Sequence, residues 1–295
     1  MKTISTAVLL MTVLTAMAQL PAENRVTYKS LVGMPAPLRE SVIWQETFES
    51  GIPGDWINSE TGGIAYWEYR GPDTTPSNDV GTRGSCLPEG TLGAPIQSPT
   101  AGDGFVIFDS NWWDDPIGPC GNLGSGDAPA PHLAILQTPS FDLSAYDKVG
   151  FSFYQYAKDY DVDMRVEVSI SGGAWTDVWT ENMIVNAETP KDQLVRINIT
   201  DEAALQSDVR IRFVFDGQYY FWMIDDVALL ELDENNIHIF RPGYGDFDFD
   251  APDHPTGFEE MEYGLYPDEF APELKFSAWA SNYGAAVQTD VGLHA

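Results

Sequence analysis

The sequence is short of basic residues. It sets 15 Lys and Arg and 4 His against 45 Asp and Glu, for a formal net charge of −30 over 295 residues. Such a chain repels nucleic acid and anionic lipid, and its field suits cations and a saline exterior. Cysteine is scarce as well: Cys86 and Cys120 are the two present, which excludes a disulfide-dense scaffold. Long apolar runs are missing. The run Ala7–Thr15 falls well short of the ~20 apolar residues that a spanning helix needs, so no membrane insertion is expected. Catalytic signatures are missing too. His132, His238, His254 and His294 form no H-E-x-x-H pattern, no G-x-S-x-G elbow occurs, and no Gly-rich loop links a strand to a helix as a phosphate cradle. A glycosidase needs only two carboxylates at a set separation, so 45 acids neither support nor exclude one.

What is present begins with an export signal. Lys2 supplies a positive start, Ala7–Thr15 an apolar stretch, and Ala16-Met17-Ala18 a small-x-small cleavage site, the layout of a signal peptide over residues 1–18. No Cys follows the cleavage site, which argues against a lipid anchor. Cleavage removes one Lys and no acid and leaves a net charge of −31. The mature chain is expected to be secreted, extracellular or at the cell surface. There, two cysteines most simply form one disulfide, Cys86–Cys120, worth about 3–4 kcal/mol in the chain-entropy model. Two free thiols or half a metal site are the alternatives, and neither Cys has zinc-ligand spacing nearby.

Residues 19–41 read as a polar lead-in. From Val42 the pattern is β: Val42–Phe48, Phe105–Phe108, His132–Gln137, Lys148–Tyr156, Met164–Ile170, Trp175–Trp179, Leu194–Ile199, Val209–Phe215 and Phe221–Leu230. Met164, Val166, Val168 and Ile170 alternate with Arg165, Glu167 and Ser169, as a half-buried strand does. Ser171-Gly172-Gly173 turns the chain into a hairpin. Only 201–206 looks helical. The Gly, Pro and Ser-rich stretches 71–104 and 109–131 are long loops of the kind that serve binding or disulfide-tied architecture. Many short strands between turns point to an all-β, antiparallel sandwich over 42–232. Residues 233–272 read as an acidic linker. Alternation at Leu274, Phe276, Ala278 and again at Val287–Leu293 reads as the truncated start of a second, Ig-like β-sandwich domain over 273–295, since two strands cannot bury a face alone.

Four segments in order carry a resemblance: Glu46-Thr47-Phe48-Glu49-Ser50-Gly51-Ile52-Pro53-Gly54-Asp55-Trp56, Asp103-Gly104-Phe105-Val106-Ile107-Phe108-Asp109, Leu136-Gln137-Thr138-Pro139-Ser140-Phe141-Asp142-Leu143-Ser144, and Trp222-Met223-Ile224-Asp225-Asp226-Val227. Together they resemble the MAM-like and choice-of-anchor J jelly rolls, which include cleaved-adhesin modules of secreted bacterial surface proteins. The resemblance covers about residues 42–232. It implies a jelly-roll sandwich with a structural Ca²⁺ between its first and last strands, held by hard carboxylate oxygens at Glu46, Glu49, Asp109 and Asp225. Asp226 would face the other side of a regular strand. Asp246-x-Asp248-x-Asp250 starts like an EF-hand loop but has Ala251 where Gly is needed and Gly257 where a bidentate Glu belongs.

Aromatic residues supply the candidate ligand-binding positions: Trp112 and Trp113 in the long loop, Tyr219 and Tyr220 before the closing strand. Exposed Trp and Tyr stack on sugars and anchor protein partners, whereas buried ones are core. For Trp112 and Trp113 a lid packed over the sandwich edge is the simpler expectation. The sequon Asn198-Ile199-Thr200 lies in a strand and carries no weight. These readings converge on a non-catalytic extracellular binding or adhesion module of a larger secreted or cell-surface protein, with a glycan or a surface or matrix protein as ligand. The alternative is an accessory domain of a secreted peptidase or glycoside hydrolase whose catalytic domain lies outside this chain.

Overall fold

A computed structural model describes residues 40–71, 81–83, 94–115, 122–245 and 275–289, with the backbone alone for 238–245 and 275–279. The expected signal peptide, the lead-in up to residue 39, both cysteines and the Asp246–Asp250 run lie outside the described residues. No helix among the described residues is long and apolar enough to cross a membrane.

The protein is all-β and antiparallel. Two long strands organise it: β6, Val149–Ile170, and β9, Val209–Glu231. They pair along almost their whole length, from Val149↔Glu231 to Ile170↔Val209. The sequence reads each of them as two strands, because Lys158–Asp163 and Gly217–Tyr220 interrupt the apolar alternation with charge, glycine and tyrosine. Backbone pairing continues across these interruptions while the side-chain pattern changes.

Shorter strands flank different stretches of the pair. Toward the start of β9 lie β5, His132–Gln137, then β2, Ile57–Glu60, beyond it. At its middle lie β4, Phe105–Phe108, and β3, Glu68–Arg70. At its end lies β1, Ser41–Glu46. On the other side of the pair, β7, Trp175–Thr180, extends the later part of β6, and β8, Gln193–Asn198, the earlier part. The expected hairpin and strands are therefore present. Two short helices are present: α1, Ser110–Asp114, and α2, Thr200–Ala203, the latter overlapping the 201–206 stretch that reads as helical.

The sheet curls back on itself to make a sandwich, as the aromatic contacts demonstrate. Phe153 lies beside Asp226 and Val227 in the β6–β9 register. Phe213 is 13 residues earlier on β9, roughly 40 Å away along an uncurled strand. Yet their ring centroids are 5.0 Å apart. Trp222 likewise meets Phe213 at 5.7 Å and stacks on Trp179 at 6.2 Å. These rings, with Trp67, Phe108, Phe151 and Phe215, form the main core between the curled halves. A bulge at Asp226, with φ 49°, lets Asp226 and Val227 oppose the single residue Phe153.

The opposite face of the pair is apolar as well. Phe105, Ile107, Tyr154, Tyr156, Phe221 and Met223 form a second cluster beneath the strap 94–103, which contributes Ile96 and Ala101. The strap is held by Gln97 N–H to Lys191 O at 2.8 Å.

Residues 233–272, expected as linker, contain a strand. β10, Ile237–Gly245, pairs with β11, Lys275–Asn282, in a two-stranded sheet. Pro242 and Gly243 hide β10 in the sequence, since proline cannot donate to a ladder. The register shift between Phe240 and Gly243 absorbs them. Alternation before Asn282 thus marks β11, which pairs with β10; of the 287–293 stretch, 287–289 are not in a strand and 290–293 lie outside the described residues.

Candidate binding surface at the bend of the long strands

The interruptions in β6 and β9 coincide in space. Tyr160 pairs with Tyr219, and Val162 with Gly217. The chain departs from regular strand geometry here, with positive φ at Asp161 (55°), Gly217 (152°) and Tyr220 (75°). A Cβ on Gly217 would sit 2.3 Å from Asp161 O and 2.6 Å from Val162 Cα, so glycine is required for the two backbones to approach. Gln218 Nε2 donates to Asp161 Oδ2 at 3.1 Å across the bend.

The bend presents three tyrosines. The Tyr160 ring lies 5.6 Å from Tyr219 at 45° and 6.4 Å from Tyr220 at 82°. Tyr160 is exposed, and the other two are half-buried. Burial pushes the Tyr219 and Tyr220 hydroxyls above their ordinary range, with Asp114 adding to the effect at Tyr219 and Tyr160 at Tyr220. Lys158 Nζ sits 5.0 Å from the Tyr220 ring centre. Tyr220 Oη donates to Asn186 Oδ1 at 3.3 Å. Asn186 belongs to a turn closed by Ala187 N–H to Ile184 O at 2.8 Å and tied to β6 through Asn186 N–H to Asp159 O at 2.9 Å. The turn carries Ile184 at 82 % exposure and Val185 at 55 %. Beneath it the Asp159 carboxylate is buried and accepts Val162 N–H at 3.1 Å. Burial raises its pKa, that hydrogen bond works in the other direction, and the Asp161 charge adds to the rise.

Helix α1 docks on the same bend. Asp109 caps it, accepting Trp112 N–H at 3.2 Å. Ser110 Oγ donates to Gln218 O. The Asp114 carboxylate ties down the following loop through Gly124 N–H at 3.1 Å and Ala130 N–H at 2.8 Å. The structure therefore brings the two tryptophans and the two tyrosines of the candidate set to neighbouring elements. Their roles differ. Trp112 is half-buried with the Arg83 guanidinium 4.9 Å from its ring centre, whereas Trp113 packs against the main core and is not a presented ring. Tyr160 carries no signal in the sequence because it lies in the charged stretch Lys158–Asp163, between two segments that read as strands. The glycine within Asp216-Gly217-Gln218, opposite Val162, is the available signal of a bend.

The four acids expected to share a cation do not form one site. From the β4–β9 register, in which Phe108 faces Trp222, Asp109 is level with Phe221, four residues or ~13 Å from Asp225. Asp109 is fully buried in its own network: Thr82 Oγ1 at 2.5 Å, Arg83 N–H at 2.7 Å and Arg70 Nη2 at 3.5 Å. Burial pushes its carboxyl up against these partners. Asp225 instead anchors the strap. It accepts Ser98 Oγ at 2.5 Å and Asp226 N–H at 2.8 Å, while Asp226 accepts Thr100 Oγ1 at 2.8 Å. Burial, reinforced by the Asp226 charge, lifts Asp225 to about 7. Glu46 and Glu49 line a recess of about 310 Å³ beside Ser50, Gly51 and Pro53, and Glu46 Oε1 is taken by Phe48 N–H at 2.6 Å. Among the described residues no three Asp, Glu, His or Cys side chains gather as a metal would require. Ca²⁺ takes 6–8 oxygens, so the set as expected does not fit one.

No family model matches the chain, and no curated protein is similar to it. Solved structures similar to it include the K1 and K3 cleaved adhesin domains of Lys-gingipain from Porphyromonas gingivalis. K1 is 15% identical with a TM-score of 0.39, covering 63% of this chain and 96% of that domain. K3 is 14% identical with a TM-score of 0.41, covering 64% and 99%. A third is TmCBM61 in complex with β-1,4-galactotriose, 17% identical with a TM-score of 0.35, covering 63% and 94%. Likenesses at these scores carry no functional argument, and the fold stands on the strand pairing.

Proposed function

We propose that the chain is a non-catalytic extracellular binding or adhesion module, in a larger secreted or surface protein, that recognises a glycan or a protein ligand at the bend of β6 and β9. The observation that carries this reading is the exposed Tyr160 ring grouped with Tyr219 and Tyr220 beside the apolar turn Ile184–Ala187. Aromatic rings with one face open and one end polar supply large contact area at low entropic cost, which makes them anchors for ligands. Glycine at 217 and the docked helix α1 fix the rings on paired strands, and a surface held in advance loses less on binding. The signal peptide and the ordered jelly-roll motifs of the sequence support the extracellular assignment and the adhesin-like kinship.

The test is a binding screen of the full chain against neutral, acidic and amino oligosaccharides and against matrix proteins, run beside the double variant Tyr160→Ala/Tyr219→Ala. A ligand held by the wild type and lost in the variant, at unchanged melting temperature, is the expected result. Ligands retained by the variant, or none for either protein, would overturn the reading.

A further inference from the structure

Resting on that binding surface, we infer that its ligand is cationic: a Lys- or Arg-bearing segment of a protein partner, received against the Tyr160 and Tyr219 rings. Ring geometry is the first observation. A flat platform for a sugar polymer needs rings that share a plane, whereas Tyr160 is inclined 45° to Tyr219 and 82° to Tyr220. Inclined rings offer π-faces in more than one direction, and a π-face attracts an ammonium or guanidinium group. The bend already holds one such contact, with the Lys158 ammonium 5.0 Å from the Tyr220 ring centre.

Charge is the second. Asp159 and Asp161 flank Tyr160 in sequence, and Asp114 lies near enough to Tyr219 to raise its pKa. Asp163 and Asp216 face each other one step further along the pair. Arg165 answers that pair, at 2.8 Å and 3.3 Å, but also serves Glu167 at 2.7 Å. Lys158 and Arg165 are thus outnumbered by carboxylates at the bend, on a chain of net charge −30. A field of this sign gathers cations and repels uronates and sulfated sugars.

Apolar exposure is the third observation, and it selects a protein over an amino-sugar polymer. Ile184 and Val185 stand 82 % and 55 % exposed on the turn that Tyr220 holds through Asn186. Two aliphatic side chains beside the rings match apolar residues adjoining the cation in a polypeptide, whereas a hydroxyl-rich chain offers only narrow C–H faces and would desolvate hydroxyls against them.

The experiment titrates the full chain, at physiological salt, with a dodecapeptide of alternating Lys and Leu, the same peptide with every Lys acetylated, and a glucosamine hexamer. Tyr160→Ala and Tyr160→Ala/Tyr219→Ala leave net charge unchanged and separate ring contact from the general acidic field. The single change at an exposed ring guards against misfolding of the double variant. The expected result is saturable binding of the Lys peptide, at least ten-fold weaker after acetylation and at least ten-fold weaker for the double variant. Equal binding of the acetylated peptide, wild-type binding by both variants, or a hexamer bound as tightly as the peptide would overturn the inference. If the oligosaccharide and matrix-protein screen yields a variant-sensitive ligand while the Lys peptide fails, the cationic ligand alone falls. If neither binds, the binding surface falls with it.

Discussion

Replacing Gly217 by alanine tests the bend directly. The residue sits at φ 152°, a region that side-chain-bearing residues rarely adopt. The added Cβ would stand 2.3 Å from the Asp161 carbonyl oxygen, 2.6 Å from Val162 Cα and 3.1 Å from Asp161 C. All three are backbone atoms of β6, so no rotamer change relieves the contact. Backbone strain of this kind costs about 1–3 kcal/mol. Overpacking that the surroundings must absorb by moving backbone costs about 1–3 kcal/mol more. The expected loss is therefore about 2–6 kcal/mol, which for a domain of this size lowers the melting temperature by about 4 °C or more. Parting β6 from β9 here also separates Tyr160 from Tyr219, so ligand binding at the bend falls together with stability. Thermal melts monitored by circular dichroism read the first effect, and titration of any ligand from the screen reads the second. Gly54→Ala is the control, because its Cβ meets nothing within 4 Å and its φ is not positive. If Gly217→Ala melts within 1 °C of wild type, as a harmless surface change would, the close approach of the two strands is not what fixes the bend.

Three other measurements probe the remaining polar devices. Asp225, raised to about 7, binds its proton more tightly in the folded state than in the unfolded. Its favourable contribution is therefore complete below pH 3.8 and is lost as pH rises through about 7. Asp225→Asn should be the more stable protein at pH 8, by at most about 4 kcal/mol, with the difference vanishing toward pH 4. Denaturant melts in EDTA at both pH values check this, and a wild type stabilised by millimolar Ca²⁺ while Asp225→Asn is not would return the cation reading in its place. Glu167, buried between Arg165 and Arg212, is pushed up by burial but held below its usual range by those two guanidiniums; Glu167→Gln removes the carboxylate that these two half-buried guanidiniums share and should cost about 2 kcal/mol in urea melts at pH 7. Tyr283 lies under the Arg196 guanidinium at 4.4 Å, and Arg196 is paired with the buried Glu40 at 3.3 Å. Tyr283→Ala should accelerate amide exchange in β10 and β11 while β6 and β9 stay protected, and unchanged exchange in the two-stranded sheet would count against that anchoring.

Side-chain period made most of the sandwich legible, and its failures share a cause. Val166, Val168, Ile211 and Phe213 alternate and are buried as alternation requires. Where the backbone pairs without apolar alternation, the sequence reading breaks: Lys158–Asp163 splits β6, Gly217–Tyr220 splits β9, and Arg241-Pro242-Gly243 conceals β10. Three-residue β3 and five-residue α1 are set by tertiary contacts, with Asp109 as cap and Ser110 bound to Gln218 O, and no local pattern announces them. At the candidate sites, the resemblance placed Asp109 and Asp225 together because it implies a cation between the first and last strands, with Asp109 following the Phe105 strand and Asp225 in the closing one. Register separates them, since β4 runs antiparallel to β9 and carries its last residue away from Asp225. The tyrosines were legible as residues but not as a group, because the curl of the pair and the glycine at 217 decide which rings meet.

The same geometry explains why recognition is assigned to the bend and not to the broad outer face of the pair. On that face Tyr154, Tyr156, Phe221 and Met223 are buried under the strap, and Ser98 and Thr100 pin the strap to Asp225 and Asp226. Continuing along β6, Tyr160 is the first aromatic beyond the strap's cover, and it stands 38 % exposed. Gly217 and Tyr220, on either side of its cross-strand partner Tyr219, leave regular strand geometry at that point, so the ladder that holds the rings in place also changes course beside them. Bulges and positive-φ residues carry a local cost that persists where the surroundings enforce it, and here twenty paired residues on each strand do so. A surface with fixed rings, an acidic rim and two exposed aliphatic side chains follows from the two strands changing course together.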